Sequence, residues 1–285
     1  MAEVNPTLLR RVLMLRQFPL LAVSGLDELA TVAENLVDTY FPRGAVVARA
    51  AQRMPAIHLV VEGSIEANGQ SWGPRQVFGA LEVFASRRCT ATATAKEPTR
   101  CLALAAHDIS ELLEDNFGLL LSTLRELASR MLHFAPIPPR GVPLQRIGAP
   151  LGLVERLILL RQQRPFAEAR LQALAMLAHT SDEMEWPAGS VVVQEGEPAT
   201  DGFIIIDGSL RTSRGDVIGS GVPVGQLETL ANTPYTMTVE TTAPTRALRS
   251  SGTAIIDMLE DHTDIGLAII ASFAGAMLDA IRRLN

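Results

Sequence analysis

Few side chains in this 285-residue sequence have the types and spacing that chemistry needs, and the paired carboxylates are the clearest of them. The pairs Glu114-Asp115 and Glu260-Asp261 could serve as general acid and base. Each pair stands directly before a closing helical segment, where a solvated turn or a helix start suits two carboxylates better. We therefore predict no catalytic residues from these pairs.

Metal chemistry and nucleophilic catalysis also lack their usual residues. The five histidines show no metal-ligand spacing; they are His58, His107, His133, His179 and His262. Cys89 and Cys101 are the only cysteines, too few for a disulfide framework or a metal motif, and they favour a reducing compartment. The sequence contains neither a Gly-x-Ser-x-Gly motif nor a Walker loop. We predict that the protein is not an enzyme and has no metal site.

The sequence repeats itself after about 146 residues. Glu62-Gly63-Ser64 corresponds to Asp207-Gly208-Ser209 at an offset of 145, and Gly79-Ala80-Leu81-Glu82 to Gly225-Gln226-Leu227-Glu228 at an offset of 146. A period of this length is too long for a solenoid unit. It indicates a duplicated domain, so the two repeats can be compared with each other position by position.

Each repeat starts with two helical segments, continues with short strands separated by turns, and ends with a helical block. The predicted helical segments cover residues 8–13, 26–36 and 109–132, then 154–160, 171–178 and 255–284. The predicted strands cover residues 45–47, 57–61, 64–67, 90–95 and 99–104, then 191–193, 203–206, 209–212, 236–241 and 245–249. This order predicts an α+β, mainly β fold: two tandem jelly-roll (β-roll) domains, each with N-terminal and C-terminal flanking helices.

A proline-rich stretch separates the repeats. Four prolines fall within residues 136–143, which excludes a helix or a central strand and indicates a semi-rigid extended linker. We place domain 1 at residues 1–133, the linker at 134–150 and domain 2 at 151–285.

Charge and hydropathy limit the classes of partner and the cellular location that we expect. The net charge is −6, and neither repeat has the basic excess that is typical of nucleic-acid binding. The longest uncharged run, residues 265–278, would make a helix of about 21 Å, shorter than the bilayer core of about 30 Å. The N-terminus lacks the features of a secretory signal. We expect a cytoplasmic protein without a nucleic-acid partner or a membrane span.

The order of the elements and the short sequence motifs within them resemble the cyclic-nucleotide-binding domain family over essentially all of both repeats. Residues 17–21 and 26–30 look like the family's N-terminal helices. Pro187-Ala188-Gly189-Ser190 and the segment Phe203–Leu210 look like its first turn and its strands. Each repeat is similar to the β-roll of catabolite activators, and the tandem arrangement is similar to kinase regulatory subunits.

The resemblance implies a phosphate-binding cassette in each repeat, roughly Phe-Gly-Glu-Leu-Ala-Leu and then Pro-Arg-Ser/Thr-Ala-Thr-Val. In the family, the amides of a short helix and the arginine bind the cyclic phosphate, while the glutamate accepts from the ribose hydroxyl. The implied pocket positions are Gly79, Ala80, Leu81, Glu82, Arg87, Arg88, Cys89 and Thr90 in domain 1, and Gly225, Gln226, Leu227, Glu228, Tyr235 and Thr236 in domain 2.

Both cassettes depart from the family's pattern at the residues that contact the ligand. Ala80 and Gln226 stand where the ribose glutamate belongs, and Cys89 and Tyr235 where the phosphate arginine belongs. Both repeats also carry a glutamate three residues after the glycine, where the family usually has alanine, and a carboxylate there opposes anion binding. The cassettes are therefore predicted to be degenerate.

Three interpretations of the pockets remain open. We favour loss of nucleotide binding with retention of the cassette shape, more strongly in domain 2, so no cofactor is expected. Alternatively, domain 1 binds a nucleotide with Arg87 or Arg88 in the phosphate position. A third interpretation gives the pockets a different small ligand, lined by Cys89, Thr90, Tyr235 and Thr236.

The closing segment of the second repeat is apolar all round over residues 268–278, so it must be covered on every side. Its small residues Ala268, Ala271 and Gly275 would permit close approach of another backbone. The segment either packs against its own chain or forms a homodimer seam, as the equivalent helix does in the related transcription factors.

These observations predict a non-enzymatic regulatory or scaffold protein that acts through contacts with other protein chains. We expect neither a catalytic domain nor a DNA-reading helix pair after the closing helix. The alternative function is a sensor of the cAMP or cGMP type with a divergent pocket in domain 1.

Overall fold

A computed structural model describes residues 6–21, 24–134, 150–163, 166–167 and 169–284 of the chain. The chain forms two compact units: unit 1 comprises Met1–Thr123 with Ile270–Asn285, and unit 2 comprises Leu124–Ile269. The end of each repeat's closing helix thus belongs to the unit built by the other repeat. The predicted domain boundaries stay a prediction, because most of the proposed linker, residues 135–149, lies outside the described residues.

In its described residues, the first repeat folds into helices, a short 3-10 turn and eight strands. Its helical elements are α1 (Pro6–Leu15), the 3-10 turn (Pro19–Leu21), α2 (Leu26–Glu34), α3 (Ala80–Phe84), α4 (Ile109–Asp115) and α5 (Phe117–Phe134). Its strands are β1 (Val37–Phe41), β2 (Val46–Ala48), β3 (Ala56–Glu62), β4 (Ile65–Ala67), β5 (Gln70–Trp72), β6 (Val77–Phe78), β7 (Ala93–Ala95) and β8 (Thr99–Ala105).

The second repeat has the same order of helices and strands. Its helices are α6 (Leu153–Gln162), α7 (Leu171–Thr180), α8 (Gln226–Ala231), α9 (Gly252–Asp261) and α10 (Thr263–Leu284). Its strands are β9 (Asp182–Trp186), β10 (Val191–Val193), β11 (Asp201–Asp207), β12 (Leu210–Thr212), β13 (Val217–Ile218), β14 (Pro223–Val224), β15 (Val239–Thr241) and β16 (Thr245–Ser251).

Each repeat builds two four-stranded antiparallel sheets with the same strand order. The orders are β1-β8-β3-β6 and β2-β7-β4-β5 in unit 1, and β9-β16-β11-β14 and β10-β15-β12-β13 in unit 2. Non-consecutive strands pair, as expected of a jelly roll. The predicted fold class is confirmed: mainly β, with two tandem jelly-roll domains and flanking helices.

The core of each unit lies between its two sheets. In unit 1, Val60, Phe78 and Cys101 of one sheet form a single buried cluster with Ile65 and Ala93 of the other. The equivalent cluster of unit 2 includes Phe203, Ile205, Leu210, Val224, Val239 and Ala247. Alternate strand residues therefore face inward from both sheets and hold the sandwich together.

The structure corrects several predicted boundaries. Strands β1 and β9 were not predicted, because their charged and polar residues hide the alternation; both lie at sheet edges, paired with β8 and β16. The strands predicted from residues 90 and 236 start later, at Ala93 and Val239. Each predicted closing block is two helices, since Asn116 and His262 take non-helical backbone angles between them.

Helix α10 has the length and composition of a membrane-crossing segment. The stretch Thr263–Arg283 has a mean hydropathy of 1.7, and half of its most apolar window is buried inside the protein. Core helices share these properties, so the expectation of no membrane span stays a prediction.

Candidate functional site

The cassette of unit 1 starts at a glycine that no other residue could replace without strain. Gly79 has a φ of +87° and precedes α3, a backbone conformation that glycine adopts at little cost. A Cβ at this position would lie 2.7 Å from Cε of Met54. The glycine therefore sets the turn into the helix and leaves room for the Met54 side chain, which the sequence analysis did not single out.

Cys89 is a buried thiol held by its backbone. Its N–H donates to the carbonyl of Gln52 at 2.8 Å, and its carbonyl accepts from the N–H of Ala51 at 2.9 Å. Burial, and then the charge of Glu82, raise the pKa of the thiol. The residue in the predicted arginine position is thus neutral at physiological pH, with a carboxylate near it.

The two arginines before Cys89 contact other parts of unit 1. Nη1 of Arg88 donates to the carbonyl of Ala51 at 2.7 Å. Arg87 donates from both Nη atoms to the carboxylate of Asp279, with 3.1 Å between Nη2 and Oδ2. These hydrogen bonds raise the pKa of the Arg87 guanidinium and hold the pKa of Asp279 below its usual value. Asp279 lies on α10 and was not predicted.

The remaining predicted positions of this cassette lie in α3 or shortly after it. Ala80, Leu81 and Glu82 lie in α3 and are half-buried, whereas Thr90 is exposed. The structure therefore brings the glycine, the glutamate and the cysteine together around α3, and directs Arg87 to α10.

In unit 2, an aromatic ring lies beside the glycine of the predicted cassette. Gly225 has a φ of +77° and precedes α8. A Cβ at this position would lie 2.8 Å from Cε1 of Tyr235 and 3.0 Å from the carbonyl oxygen of Asp201. The Tyr235 hydroxyl donates to that same carbonyl at 2.9 Å, and the side chain is only 8% exposed. Burial raises the pKa of the hydroxyl, so it remains a donor at physiological pH.

In unit 2, the buried side chain of Glu228 accepts hydrogen bonds from the segment that follows α8. Oε1 of Glu228 accepts from the Thr236 hydroxyl at 2.6 Å and from the Thr236 N–H at 3.4 Å. Glu228 is 7% exposed. This side chain lies in α8, the helix of the predicted cassette.

Gln226 is turned onto the neighbouring strand. Its Nε2 donates to the carbonyl of Phe203 at 3.1 Å, and a Cβ at Gly202 would lie 2.6 Å from its Cγ. The amide side chain therefore stabilises β11, and Leu227 beside it is half-buried in α8. All six predicted positions of this cassette lie in or beside α8, four of them joined by these contacts.

The predicted helix interface is partly used within the chain. Gly275 is buried, Ala271 is half-buried and Ala268 is exposed. A Cβ at Gly275 would lie 3.4 Å from Nη2 of Arg87, an ordinary contact distance, so an arginine of unit 1 packs beside this glycine. A homodimer through these three residues stays a prediction.

The other candidate residues do not gather into a site. Glu114 and Asp115 end α4, Glu260 and Asp261 end α9, and all four are exposed. Within the described ranges, no group of three or more histidine, cysteine or acidic side chains could hold a metal ion.

Comparison with known proteins identifies the family. The model of the cyclic nucleotide-binding domain matches residues 38–116 and again residues 183–262, together more than half of the chain. Lysophospholipase nte1 of Emericella nidulans is 22% identical to this chain over an alignment of 309 residues. The alignment covers 91% of this chain and 19% of that protein. The chain thus spans about a fifth of the length of this curated relative.

Solved structures resemble the chain weakly. The cAMP-bound regulatory domain of Toxoplasma gondii protein kinase A is 14% identical, with a TM-score of 0.37 and coverage of 93% of this chain and 97% of that one. The regulatory subunit of a cAMP-independent protein kinase A from Trypanosoma brucei is 16% identical, with a TM-score of 0.38 and coverage of 93% and 94%. The family assignment rests on the matched domains and not on these likenesses.

Proposed function

Because the chain belongs to the cyclic nucleotide-binding domain family, we propose that it is a non-enzymatic regulatory protein whose cassettes no longer take cyclic nucleotide. Its role is to contact other protein chains, in the cytoplasm, without a cofactor. The observation that carries this proposal is the closed cassette of unit 2, where the protein's own side chains occupy the groups that a phosphate would need.

In the second cassette, a nucleotide would have to displace Tyr235 and break its bond to the Asp201 carbonyl. Its phosphate would then lie near the buried Glu228 carboxylate, which no longer has an arginine beside it to offset the repulsion. Losing a charged partner costs about 2 kcal/mol, and leaving a polar group unpaired costs about 1 to 3 kcal/mol more. Losses of this size convert micromolar affinity into millimolar affinity or worse.

In the first cassette, the neutral Cys89 offers no positive charge to a phosphate. The neighbouring guanidinium groups are engaged, Arg88 with the Ala51 carbonyl and Arg87 with Asp279. Ala80 offers no acceptor to a ribose hydroxyl. These contacts support loss of nucleotide binding in this cassette as well.

A second candidate function is a nucleotide sensor in domain 1. Two arginines lie within two residues of Cys89, and Met54, rather than an aromatic ring, lies beside Gly79. A methionine side chain can move aside at little cost. Under this alternative Arg88 would exchange the Ala51 carbonyl for a ligand phosphate.

The absence of catalysis is likewise part of the proposal. Its support is that the paired carboxylates end helices on the surface, exposed to solvent and away from any described cleft in which a substrate could be held. Contacts with protein chains are proposed because regulatory domains of this kind act on other domains or subunits.

Isothermal titration of the full chain with cAMP and with cGMP, up to millimolar ligand, tests the proposal. We expect no saturable heat with either nucleotide. Saturable micromolar binding would contradict it, and an Arg88→Ala variant that then lost this binding would establish the sensor in domain 1. Unchanged binding by that variant would leave Arg87 or another site as the phosphate partner, and Arg87→Ala would distinguish the two.

A further inference from the structure

We propose that the Arg87–Asp279 pair is a charge latch that couples two distant parts of the sequence. It fastens the terminal segment of α10, residues 270–284, to the cassette loop of unit 1, residues 85–92. Loosening either part then loosens the other. This inference goes beyond the proposed function, because it holds whether or not the cassette binds a nucleotide.

The arginine is anchored at the cassette end. Its backbone N–H donates to the carbonyl of Glu82 at 2.9 Å, directly after α3. Ser86 before it has a left-handed φ of +50°, which ends the helix. Two residues later, the backbone of Cys89 is bonded on both sides to residues 51 and 52. A force on the guanidinium is therefore transmitted to the cassette backbone.

At its other end the guanidinium lies against one face of α10. Asp279 lies four residues after Gly275, so the two positions are on the same face of the helix. Nη2 of Arg87 lies 3.4 Å from the place of a Cβ at the buried Gly275, an ordinary contact distance. The guanidinium therefore passes over the helix surface at Gly275 and reaches the carboxylate one turn further on.

The Arg87–Asp279 ion pair has a favourable geometry but is exposed to solvent, so it can open. Two parallel bonds between a guanidinium and a carboxylate are the strongest ion-pair geometry. Both side chains remain accessible, however, at 36% and 46% exposure, so salt and water weaken the attraction. Because α10 is one continuous helix from Thr263 to Leu284, opening the latch would release its terminal segment from the cassette loop.

Hydrogen–deuterium exchange of the full chain tests the latch. The variants are Arg87→Gln, Asp279→Asn and the two combined. Each single change should speed exchange about two- to fivefold in both the terminal segment and the cassette loop. The double variant should exchange no faster than either single variant, because all three lack the same pair.

The matched control is Arg100→Gln, which removes an arginine from a similarly exposed ion pair with Asp38, outside both segments, and should leave exchange of the terminal segment unchanged. Sodium chloride at about 1 M should raise exchange in the wild type towards that of Asp279→Asn and leave the variant as it was. Faster exchange confined to the mutated side, or additive effects in the double variant, would overturn the proposal. If Arg87→Gln does not fold, Asp279→Asn alone still decides, through its effect on the cassette loop.

Discussion

The hydroxyl of Tyr235 donates a hydrogen bond to the carbonyl oxygen of Asp201 across 2.9 Å. This bond fixes the ring beside Gly225, at the start of the short helix that defines the second cassette. The residue that stands in place of a phosphate-binding arginine therefore stabilises the protein itself. Several consequences for stability and binding can be measured.

Replacing Tyr235 by phenylalanine should destabilise the protein by about 1 kcal/mol, because the Asp201 carbonyl loses a buried donor. Urea unfolding gives this difference as a shift of the midpoint at constant slope. The only other tyrosine, Tyr40, is 66% exposed and provides the matched control. Tyr40→Phe should change the free energy of unfolding by less than about 0.5 kcal/mol; equal effects of the two changes would contradict the assignment.

The two cassette glycines should differ in their tolerance of alanine. At Gly225 a Cβ meets the Tyr235 ring and a backbone carbonyl, whereas at Gly79 its nearest neighbours are all atoms of the flexible Met54 side chain, from Cγ to Cε. Gly44 has a similar φ of +81° with open space around it, so Gly44→Ala reports backbone strain alone, about 1 to 2 kcal/mol.

We expect Gly225→Ala to cost at least about 1 kcal/mol more than Gly44→Ala, and Gly79→Ala to fall between them. Thermal or urea unfolding of the three variants measures the order. A Gly225→Ala variant as stable as Gly44→Ala would show that Tyr235 does not fill the space over the glycine.

His58 should make the protein sensitive to acid. The ring is 4% exposed between Phe41 and Phe78, neither ring nitrogen has a hydrogen-bond partner in the described part of the chain, and burial lowers its pKa to about 4. Between about pH 6.5 and pH 4 the unfolded chain binds a proton that the folded chain excludes, so stability falls with falling pH.

The loss attributable to His58 should reach about 2 kcal/mol at pH 5 relative to pH 7.5. The equivalent residue of the second repeat is Phe203, so His58→Phe is the natural replacement and should remove this part of the pH dependence. Urea unfolding at both pH values measures it. An equal loss in wild type and variant would contradict the role of His58, and His107→Asn, at an exposed position, is the control.

Two arginines that form ion pairs between neighbouring strands should contribute unequally to the free energy of unfolding. Arg246 and its partner Glu183 have side chains only 16% and 12% exposed, whereas Arg100 and Asp38 in the first repeat are 44% and 47% exposed. Burial alone would raise the pKa of Glu183, but the Leu151 N–H and Arg246 together hold it below its usual value. Folding therefore favours the ionised form, and this contribution is lost as the pH falls below the carboxyl's ordinary range.

Arg246→Ala should destabilise the protein by about 2 to 3 kcal/mol, since it leaves the Glu183 carboxylate unpaired. Arg100→Ala should cost less than about 1 kcal/mol. Unfolding at pH 7 compares the two, and equal losses would contradict the argument from burial.

The duplication made most of the fold predictable. Two pairs of matching motifs indicated which strands and cassettes are equivalent: residues 61–64 with 206–209, and the two glycine motifs. Both repeats do fold alike. The edge strands β1 and β9 escaped prediction, because their pairing partners β8 and β16 lie about 60 residues away and supply the order that their own residues do not. Short-range patterns cannot record such pairing.

The cassette was predictable only in part. The resemblance implied a glycine followed by a short helix in each repeat, and both repeats have this arrangement. The assignment of Cys89 and Tyr235 to the arginine position stays a prediction. Met54, Asp201 and Asp279, which contact cassette residues, did not follow from the resemblance, because the fold brings them there from distant parts of the sequence. Likewise, Gly275 was recognised as a point of close approach, but its neighbour Arg87 could be identified only in three dimensions.

The most direct test of the central claim compares nucleotide binding by the wild type and by a restored second cassette. The restored variant carries Gln226→Glu, Glu228→Ala and Tyr235→Arg, which together supply the ribose acceptor and the phosphate partner and remove the repelling carboxylate. Titration with cAMP should give no saturable heat for the wild type. For the variant the heat should saturate, with a Kd below about 100 μM. Micromolar binding of cAMP by the wild type would contradict the claim that these cassettes have lost their ligand.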